Sequence, residues 1–506
     1  MAEKRVLLGA KYSVIEPLGL LHLSAVAKEE GWEPRICLVK DNDFREFEGF
    51  CRGARPDLVG FTVYTGNHIP IFRFLDDLRK KSPHLQTVLG GPHATYFPKD
   101  SSRHADFVVL SEGLNGFRRI LRGEAPKGIV ALLEKERYPI SDREAFYLDN
   151  PEHQRSRIKS LTTSFGCPFS CTYCYNSSKL CDIRQDLDDG QANAMERSLG
   201  KGGRLFPRFQ RPVGDVIEEA RQIVKISPGT RMIYFQDDVF GGDVDWMREF
   251  KNKWDIGLPF HAQMRFENAN PESDKNKEKL MLMREAGCTG LTLAIESADP
   301  IIRGEVLNRN TPQDLMFSSL AFLAGLGLRV RTEQMLGLPY GATSRPTKVG
   351  IESDLEILDL NIRLREETGL PTMAWASTFA PYMGTKIGAY CREHGFYLGG
   401  NDDIPDTFFE RSVLRFPAEW VGPSLSPDKE ELWMSHSELE THRDKLQVLR
   451  HLFNYYALLP KGTKLARRFL DQDPEALREQ SESFRELSTI TRRHLYDSVL
   501  YDVEDN

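Results

Sequence analysis

Residues Thr163 to Tyr175 read TSFGCPFSCTYCY and hold three of the eight cysteines in a chain of 506 residues. Cys167, Cys171 and Cys174 stand in the spacing CxxxCxxC, with the aromatic Tyr173 before the last of them and a candidate strand ahead of the loop. Three thiolates on so short a loop can grip three corners of a cubane iron–sulfur cluster and leave its fourth iron open to a small molecule. Zinc is a competing reading, but a structural zinc site takes four protein ligands and usually pairs two CxxC units. Only Cys181 is near enough in sequence to be the fourth. Incidental buried thiols are the third reading. Cys37, Cys51, Cys181, Cys288 and Cys391 are scattered singly, as small buried hydrophobes are in a reducing compartment.

Toward the C-terminus, the loop opens a series of strand–helix units. Leu161–Phe165, Met232–Phe235, Pro259–Met264, Leu291–Ile295, Leu328–Met335 and Met373–Phe379 read as strands, and Val216, Ile217, Ala220, Ile223 and Val224 mark one helix face. Six such units predict a partial (β/α)6 barrel over 158–385, with its chemistry at the carboxyl ends of the strands. Residues 176–211 interrupt the pattern with a long polar stretch, read as a substrate lid or a simple surface loop. Over 386–506 the strand signals fade, and HSELETHRDKLQVLRHLFNYYALL (436–459) has a helical rhythm, so a small, mostly helical domain is expected.

Toward the N-terminus, Val6–Leu8, Ile36–Val39, Leu58–Val63, Thr87–Leu89 and Phe107–Leu110 alternate with amphipathic stretches. That pattern predicts a Rossmann-like α/β domain over 1–140, a parallel sheet covered on both faces. Small and polar residues gather where the strands run out: Thr62, Tyr64, Thr65 and Gly66 in TVYTGNH, Gly90, Gly91 and His93 in GGPHAT, and Ser111, Glu112 and Gly113. Ligands of open doubly wound sheets bind at those ends. No GxGxxG follows a strand, which argues against a dinucleotide, while a purely structural domain stays open. Residues 141–157 read as a linker.

Hydrophobic residues at 40% and charged residues at 28% describe a folded chain, and its length predicts about three domains. No stretch has the apolar length of a signal peptide or membrane span, so a cytoplasmic protein is expected. A net charge of -7 gives no general attraction to nucleic acid, which is not expected as a partner despite the basic stretch Lys201 to Arg211.

On its cysteine motif the chain resembles the radical S-adenosylmethionine enzymes. The resemblance implies that Cys167, Cys171 and Cys174 bind a 4Fe–4S cluster whose unique iron chelates S-adenosylmethionine, and that one electron from the cluster then yields a 5′-deoxyadenosyl radical. It also implies S-adenosylmethionine contacts at successive strand ends: Tyr173 in the motif, Gln236 and Asp237 in YFQDDVF, where many relatives have Gly-Gly-Glu, and Arg265 in FHAQMRF. Glu296 and Ser297 in LAIES, and Gln334 and Leu338 in EQMLGLPYG, complete the set.

The segments PLGLLHLSAVAKEEGW, DLVGFTVYTGNH, VLGGPHATYFP and DFVVLSEGLNGF resemble the cobalamin-binding domain fused ahead of such barrels. The resemblance implies cobalamin contacts from Leu18, Thr62, Tyr64, Thr65, Gly66, Gly90, Gly91, His93, Ser111, Glu112 and Gly113. Relatives that ligate cobalt from below carry DxHxxG. Here the matching residues, Asp41 to Glu46, contain no histidine, so a base-off corrinoid with Tyr64 or Thr65 beneath it is expected.

Together the resemblances imply a cobalamin-dependent radical methyltransferase acting on an unactivated carbon of a small-molecule or peptide substrate, with flavodoxin or ferredoxin as electron donor. Oxidative cyclisation or ring rearrangement without methyl transfer is the alternative within the same chemistry. A cobalamin or iron–sulfur sensor is the alternative outside it.

Overall fold

The computed structural model describes residues 4–131, 136–200, 203–341, 343–407 and 409–503; Lys201 and Gly202, at the start of the basic stretch, lie outside them. The chain forms two compact units, Met1–Phe169 with Cys174–Ile233, and Ser170–Tyr173 with Tyr234–Asn506.

In the first unit, β1 (Lys4–Lys11), β2 (Trp32–Val39), β3 (Leu58–Thr62), β4 (Gln86–Gly90), β5 (Phe107–Val109) and β6 (Gly128–Val130) form one sheet in the order β2-β1-β3-β4-β5-β6. Every pairing in it is parallel. Alternation along each strand sends Leu7, Val59 and Leu89 into one core and Val6, Leu8, Leu58 and Val88 into the other. Burial on both faces is why these strands read as unbroken apolar runs. The strand order reverses at β1, and such switch points are where ligands sit in sheets of this kind.

Within the stretch expected as a linker lie two short helices, Arg143–Asp149 and Pro151–Arg155, too brief to show a period. Phe146 is fully buried, and Arg143 bridges Glu16 at 2.7 Å and Glu219 at 3.2 Å, with Arg211 on Glu219 at 2.6 Å. Charges so deeply buried persist because each meets an opposite charge.

The strand expected at Leu161–Phe165 is divided. β7 (Ile158–Leu161) stops where Thr162 Oγ1 donates to the Ser164 carbonyl at 2.7 Å, and β8 (Ser164–Phe165) pairs antiparallel with β9 (Phe209–Gln210). Gly166 has φ +72°, and a Cβ there would stand 2.8 Å from the Pro207 carbonyl oxygen, so only glycine lets the two backbones approach.

The 176–211 segment is not a surface loop. Helix Asp189–Leu199 starts on a capping box made by Asp188 and Gln191, and Leu180, Ile183, Leu187, Ala192, Met195 and Leu205 are buried in the core that holds Val59 and Phe61.

β10 (Met232–Phe235), β11 (Phe260–Met264), β12 (Cys288–Glu296), β13 (Arg329–Leu336) and β14 (Met373–Thr378) carry the second sheet, ordered β14-β13-β12-β11-β10-β7. Its end strands do not pair with each other, so the barrel is partial, as expected. Helices Val244–Lys253, Asp274–Glu285, Gln313–Gly325 and Ile351–Thr368 lie between successive strands of the second unit.

The C-terminal residues add helices His436–Leu458, Gly462–Leu470 and Pro474–His494. The first covers β14, where Asn454 Oδ1 accepts the Ala374 N–H at 2.8 Å and occupies a donor on an otherwise bare edge. Between residues 397 and 435 the described residues carry only short 3-10 turns.

Candidate functional site

In the second unit, Cys171 is the focus. Its sulfur is buried and accepts a hydrogen bond from Arg265 Nη1 at 2.9 Å. Arg265 follows β11 and places its remaining donors on Glu267, at 2.9 and 2.7 Å, while Thr311 Oγ1 donates to the same carboxylate at 2.8 Å. Burial opposes the Glu267 charge, but the Arg265 hydrogen bonds and charge outweigh it and hold this carboxyl at about 2. Arg265 therefore carries a positive charge against the Cys171 sulfur.

Tyr173 donates to Glu296 Oε1 at 2.8 Å, and Arg309 donates to the Tyr173 oxygen at 3.1 Å and the Ala294 carbonyl at 2.5 Å. Glu296 ends β12 in the left-handed region, φ +70°, where the register with β13 shifts. Such a conformation in a residue other than glycine is held by its surroundings and is common at functional sites. Burial raises the Glu296 pKa, opposed by Arg309 and Tyr173. Loop residues on either side of Cys171 are tied to backbone: Thr172 N–H to Leu307 O at 3.1 Å, Asn308 Nδ2 to Ser170 O at 2.8 Å.

The structure thus gathers Tyr173, Arg265 and Glu296 with two residues that sequence reasoning missed, Glu267 and Arg309. Ser297 Oγ accepts the Asp299 N–H at 3.2 Å. Gln236 is half-buried and Asp237 fully buried just beyond β10. Gln334 has its amide engaged at both ends, donating to Trp375 O at 2.6 Å and accepting from Asn361 at 3.1 Å. Leu338 is buried next to Gly337, whose N–H reaches Asp354 Oδ1 at 2.8 Å. Burial pushes Asp354 up to about 7.

A polar belt crosses four strands of this sheet. His261 Nε2 meets Thr292 Oγ1 at 2.9 Å, and Arg331 Nη2 donates to the Tyr234 oxygen at 3.2 Å and to Glu333 at 2.6 Å. Burial and the Arg331 charge keep His261 neutral. Tyr501, from the C-terminal turn Leu495–Tyr501, packs edge-on against both Tyr234 and His261.

In the first unit, Cys167 and Cys174 are half-buried. The Arg204 guanidinium donates to the carbonyls of Pro168 at 2.8 Å, Phe169 at 2.7 Å, Asn176 at 3.4 Å and Cys167. Tyr175, next after Cys174, donates its hydroxyl to Thr65 Oγ1 at 3.0 Å, and Thr65 also hydrogen-bonds His93 Nδ1 at 2.9 Å. Tyr96 donates to the Tyr175 carbonyl, and their rings lie 4.3 Å apart.

Around these stand the other strand-end residues. Tyr64 is 54% exposed, whereas Thr65 and His93 are buried. Gly66 and Gly91 have φ +104° and +92°, and a Cβ on Gly91 would lie 2.5 Å from Thr62 Oγ1. Gly90 lies at the end of β4, Ser111 donates to the Leu205 carbonyl, and Glu112 Oε1 accepts the Leu114 N–H at 2.8 Å. Burial pushes Glu112 up to about 7. Gly113 precedes helix Leu114–Arg122, and Leu18 opens helix Leu18–Glu29 half-buried.

Two of the implied cofactors, the cluster and the corrinoid, fit these residues. Among the described residues no three histidine, cysteine or acidic side chains converge as ligands of one ion do; a cubane, held at separate corners, needs no such convergence. Gly90 at the end of β4 and Gly66 in the turn after β3 present backbone without side chains, which would admit the close approach of a large flat ring, whereas Gly91 is needed for its own packing against Thr62 and Val63.

Comparison with known proteins agrees. The B12 binding domain model matches residues 4–121, and the radical SAM superfamily model matches residues 161–341. An uncharacterized methyltransferase of Pyrococcus horikoshii is 23% identical over 76% of this chain and 80% of its own length. Cytidylyl-2-hydroxyethylphosphonate methyltransferase of Streptomyces wedmorensis is 22% identical over 81% of this chain and 84% of its own. In fold, the chain is similar to the cobalamin-dependent S-adenosylmethionine radical enzyme OxsB, with TM-score 0.62, 15% identity, and coverage of 100% of this chain and 77% of the other. It is also similar to the radical S-adenosylmethionine methyltransferase TsrM from Kitasatospora setae, with TM-score 0.57, 14% identity, and coverage of 97% and 100%. With a B12 platform and a three-cysteine half-barrel on one polypeptide, the chain belongs to the cobalamin-binding branch of the radical S-adenosylmethionine superfamily, and its cofactors are cobalamin, S-adenosylmethionine and a 4Fe–4S cluster.

Proposed function

We propose that this chain is a methyltransferase that adds a methyl group to an unactivated carbon of a small-molecule or peptide substrate, fed with electrons by a flavodoxin or ferredoxin. The observation that carries the reading is the joining, on one chain, of a B12 binding domain to a radical S-adenosylmethionine domain. Two relatives that match most of the chain are named methyltransferases, which supports methyl as the group transferred. When bound, the cluster with S-adenosylmethionine supplies a carbon-centred radical, and cobalamin supplies the methyl group.

The chain's own residues hold and shield. Cys167, Cys171 and Cys174 ligate the cluster, and Arg265 fixes positive charge beside the buried Cys171 sulfur. Tyr173, Glu296 and Arg309 form a hydrogen-bonded triad that presents a carboxylate and a cation beside the motif, suited to the ammonium, carboxylate and ribose of S-adenosylmethionine. Gln236 and Asp237, Ser297, Gln334 and Leu338 line the neighbouring strand ends in this reading. On the platform, Tyr64 and Thr65 stand in place of a lower histidine, with Leu18, Thr62, Gly66, Gly90, Gly91, His93, Ser111, Glu112 and Gly113 around the corrinoid.

Anaerobic incubation with reductant, substrate candidates and S-adenosylmethionine labelled in its methyl group tests the proposal. Formation of 5′-deoxyadenosine together with labelled product is expected. 5′-Deoxyadenosine with unlabelled product would favour ring rearrangement or cyclisation, and its absence would favour a sensor.

A further inference from the structure

The segment after the last motif cysteine does more than leave the loop. Tyr175 is peptide-bonded to Cys174, and its side chain ends on Thr65, in the turn after β3 where the platform presents its ligand groups. Thr65 Oγ1 lies 3.0 Å from the Tyr175 hydroxyl and 2.9 Å from His93 Nδ1, so the hydroxyl that accepts from Tyr175 has its own proton available for the imidazole. That assignment places the remaining His93 proton on Nε2, which is buried and has no hydrogen-bond partner. His93 in turn stacks on His68 with centroids 3.9 Å apart. The Tyr175 backbone is held as well, by Tyr96 through its carbonyl, and Tyr96 and Thr65 both lie on the platform. A chain of hydrogen bonds, buried at Thr65 and His93 and partly buried at Tyr175, therefore runs from the residue beside a cluster ligand into the turn after β3 and the short helix Pro92–Tyr96 after β4.

We propose that Tyr175 couples the two cofactor sites: corrinoid seated on the Thr65 and His93 turns fixes Tyr175, and Tyr175 fixes the cysteine loop in its cluster-holding shape. The inference rests on the cobalamin and cluster reading and assigns Tyr175 as a positioning residue, with Thr65 and His93 as the path. Coupling of this kind is reciprocal: if corrinoid strengthens cluster retention, the cluster must strengthen corrinoid binding by the same factor.

The test is a thermodynamic cycle on the full-length chain. Hydroxocobalamin affinity is measured by absorbance with and without the reconstituted cluster, and loss of iron to a chelator is measured with and without hydroxocobalamin. Wild type should bind hydroxocobalamin roughly fivefold more tightly when the cluster is present, within the range one hydrogen-bond path supplies, and should lose iron more slowly when corrinoid is bound. Tyr175→Phe keeps the ring and removes only the donor, and it should bring the factor close to one while both cofactors still bind. Thr65→Val, which also alters the corrinoid seat, should weaken hydroxocobalamin binding and abolish the coupling, Thr65→Ser should restore both, and the double variant should lower the coupling no further than either single change. Wild-type coupling that survives in Tyr175→Phe overturns the inference, as does the absence of coupling in wild type. A wild-type chain that takes up neither cofactor would instead overturn the functional reading beneath it.

Discussion

Arg204 commits its guanidinium to the carbonyls of Cys167, Pro168, Phe169 and Asn176, so one side chain braces the backbone on both sides of the cysteine run. A methionine of similar length cannot donate those bonds. Arg204→Met should release iron to a chelator roughly tenfold faster, measured from the cluster's visible absorbance, with far-UV circular dichroism unchanged. Glu267 gives a prediction in pH. Its folded value, about 2, lies below the ordinary 4.5, so its pairing contributes stability above pH 4.5 that is lost as pH falls toward 2. Urea unfolding across that window should show the slope in wild type and lack it in Glu267→Gln. Asp354 runs the other way. Burial raises it from 3.8 to about 7, so its neutral form stabilises the fold below pH 3.8, and that stabilisation is lost as pH rises toward 7. Asp354→Asn keeps an acceptor for the Gly337 N–H and should be more stable than wild type at pH 8.

At the level of elements, the 176–211 segment behaves as part of the core. Met195→Ala should cost about 2–4 kcal/mol in urea unfolding, the cost of a core cavity, where the same change in a mobile lid would leave stability alone. The segment also shows where the sequence was hard to read. Leu180, Ile183 and Leu187 do follow helical spacing, but each turn ends before a periodic run builds up, and the polar residues between them dominate the composition. β1 to β5 were legible because burial on both faces leaves a continuous apolar run with a turn behind it. β6 was not: its three residues open the short apolar run GIVALL (128–133), which charged residues flank and which is too brief to show a period. The division of β7 from β8 depends on one side-chain bond, from Thr162, which no hydrophobic pattern records. At the site, Cys171, Tyr173, Arg265 and Glu296 announced themselves by motif or strand end, whereas Glu267 and Arg309 lie outside the strands and become partners only once the chain has folded.

On the scale of the whole chain, the second sheet's polar belt and the C-terminal turn are one structure made from distant parts. Tyr501→Ala should remove about 3 kcal/mol or more from thermal or urea stability, because it strips the cover from Tyr234 and His261 and leaves buried polar groups facing a void. No described helix is long and apolar enough to cross a membrane. The cover also arrives late. The ribosome releases β10 to β13 long before it releases Tyr496 and Tyr501, and domains fold as they emerge. A nascent chain stalled before residue 495 should therefore display an uncapped strand belt to chaperones, and should become protease-resistant only once Tyr501 has emerged.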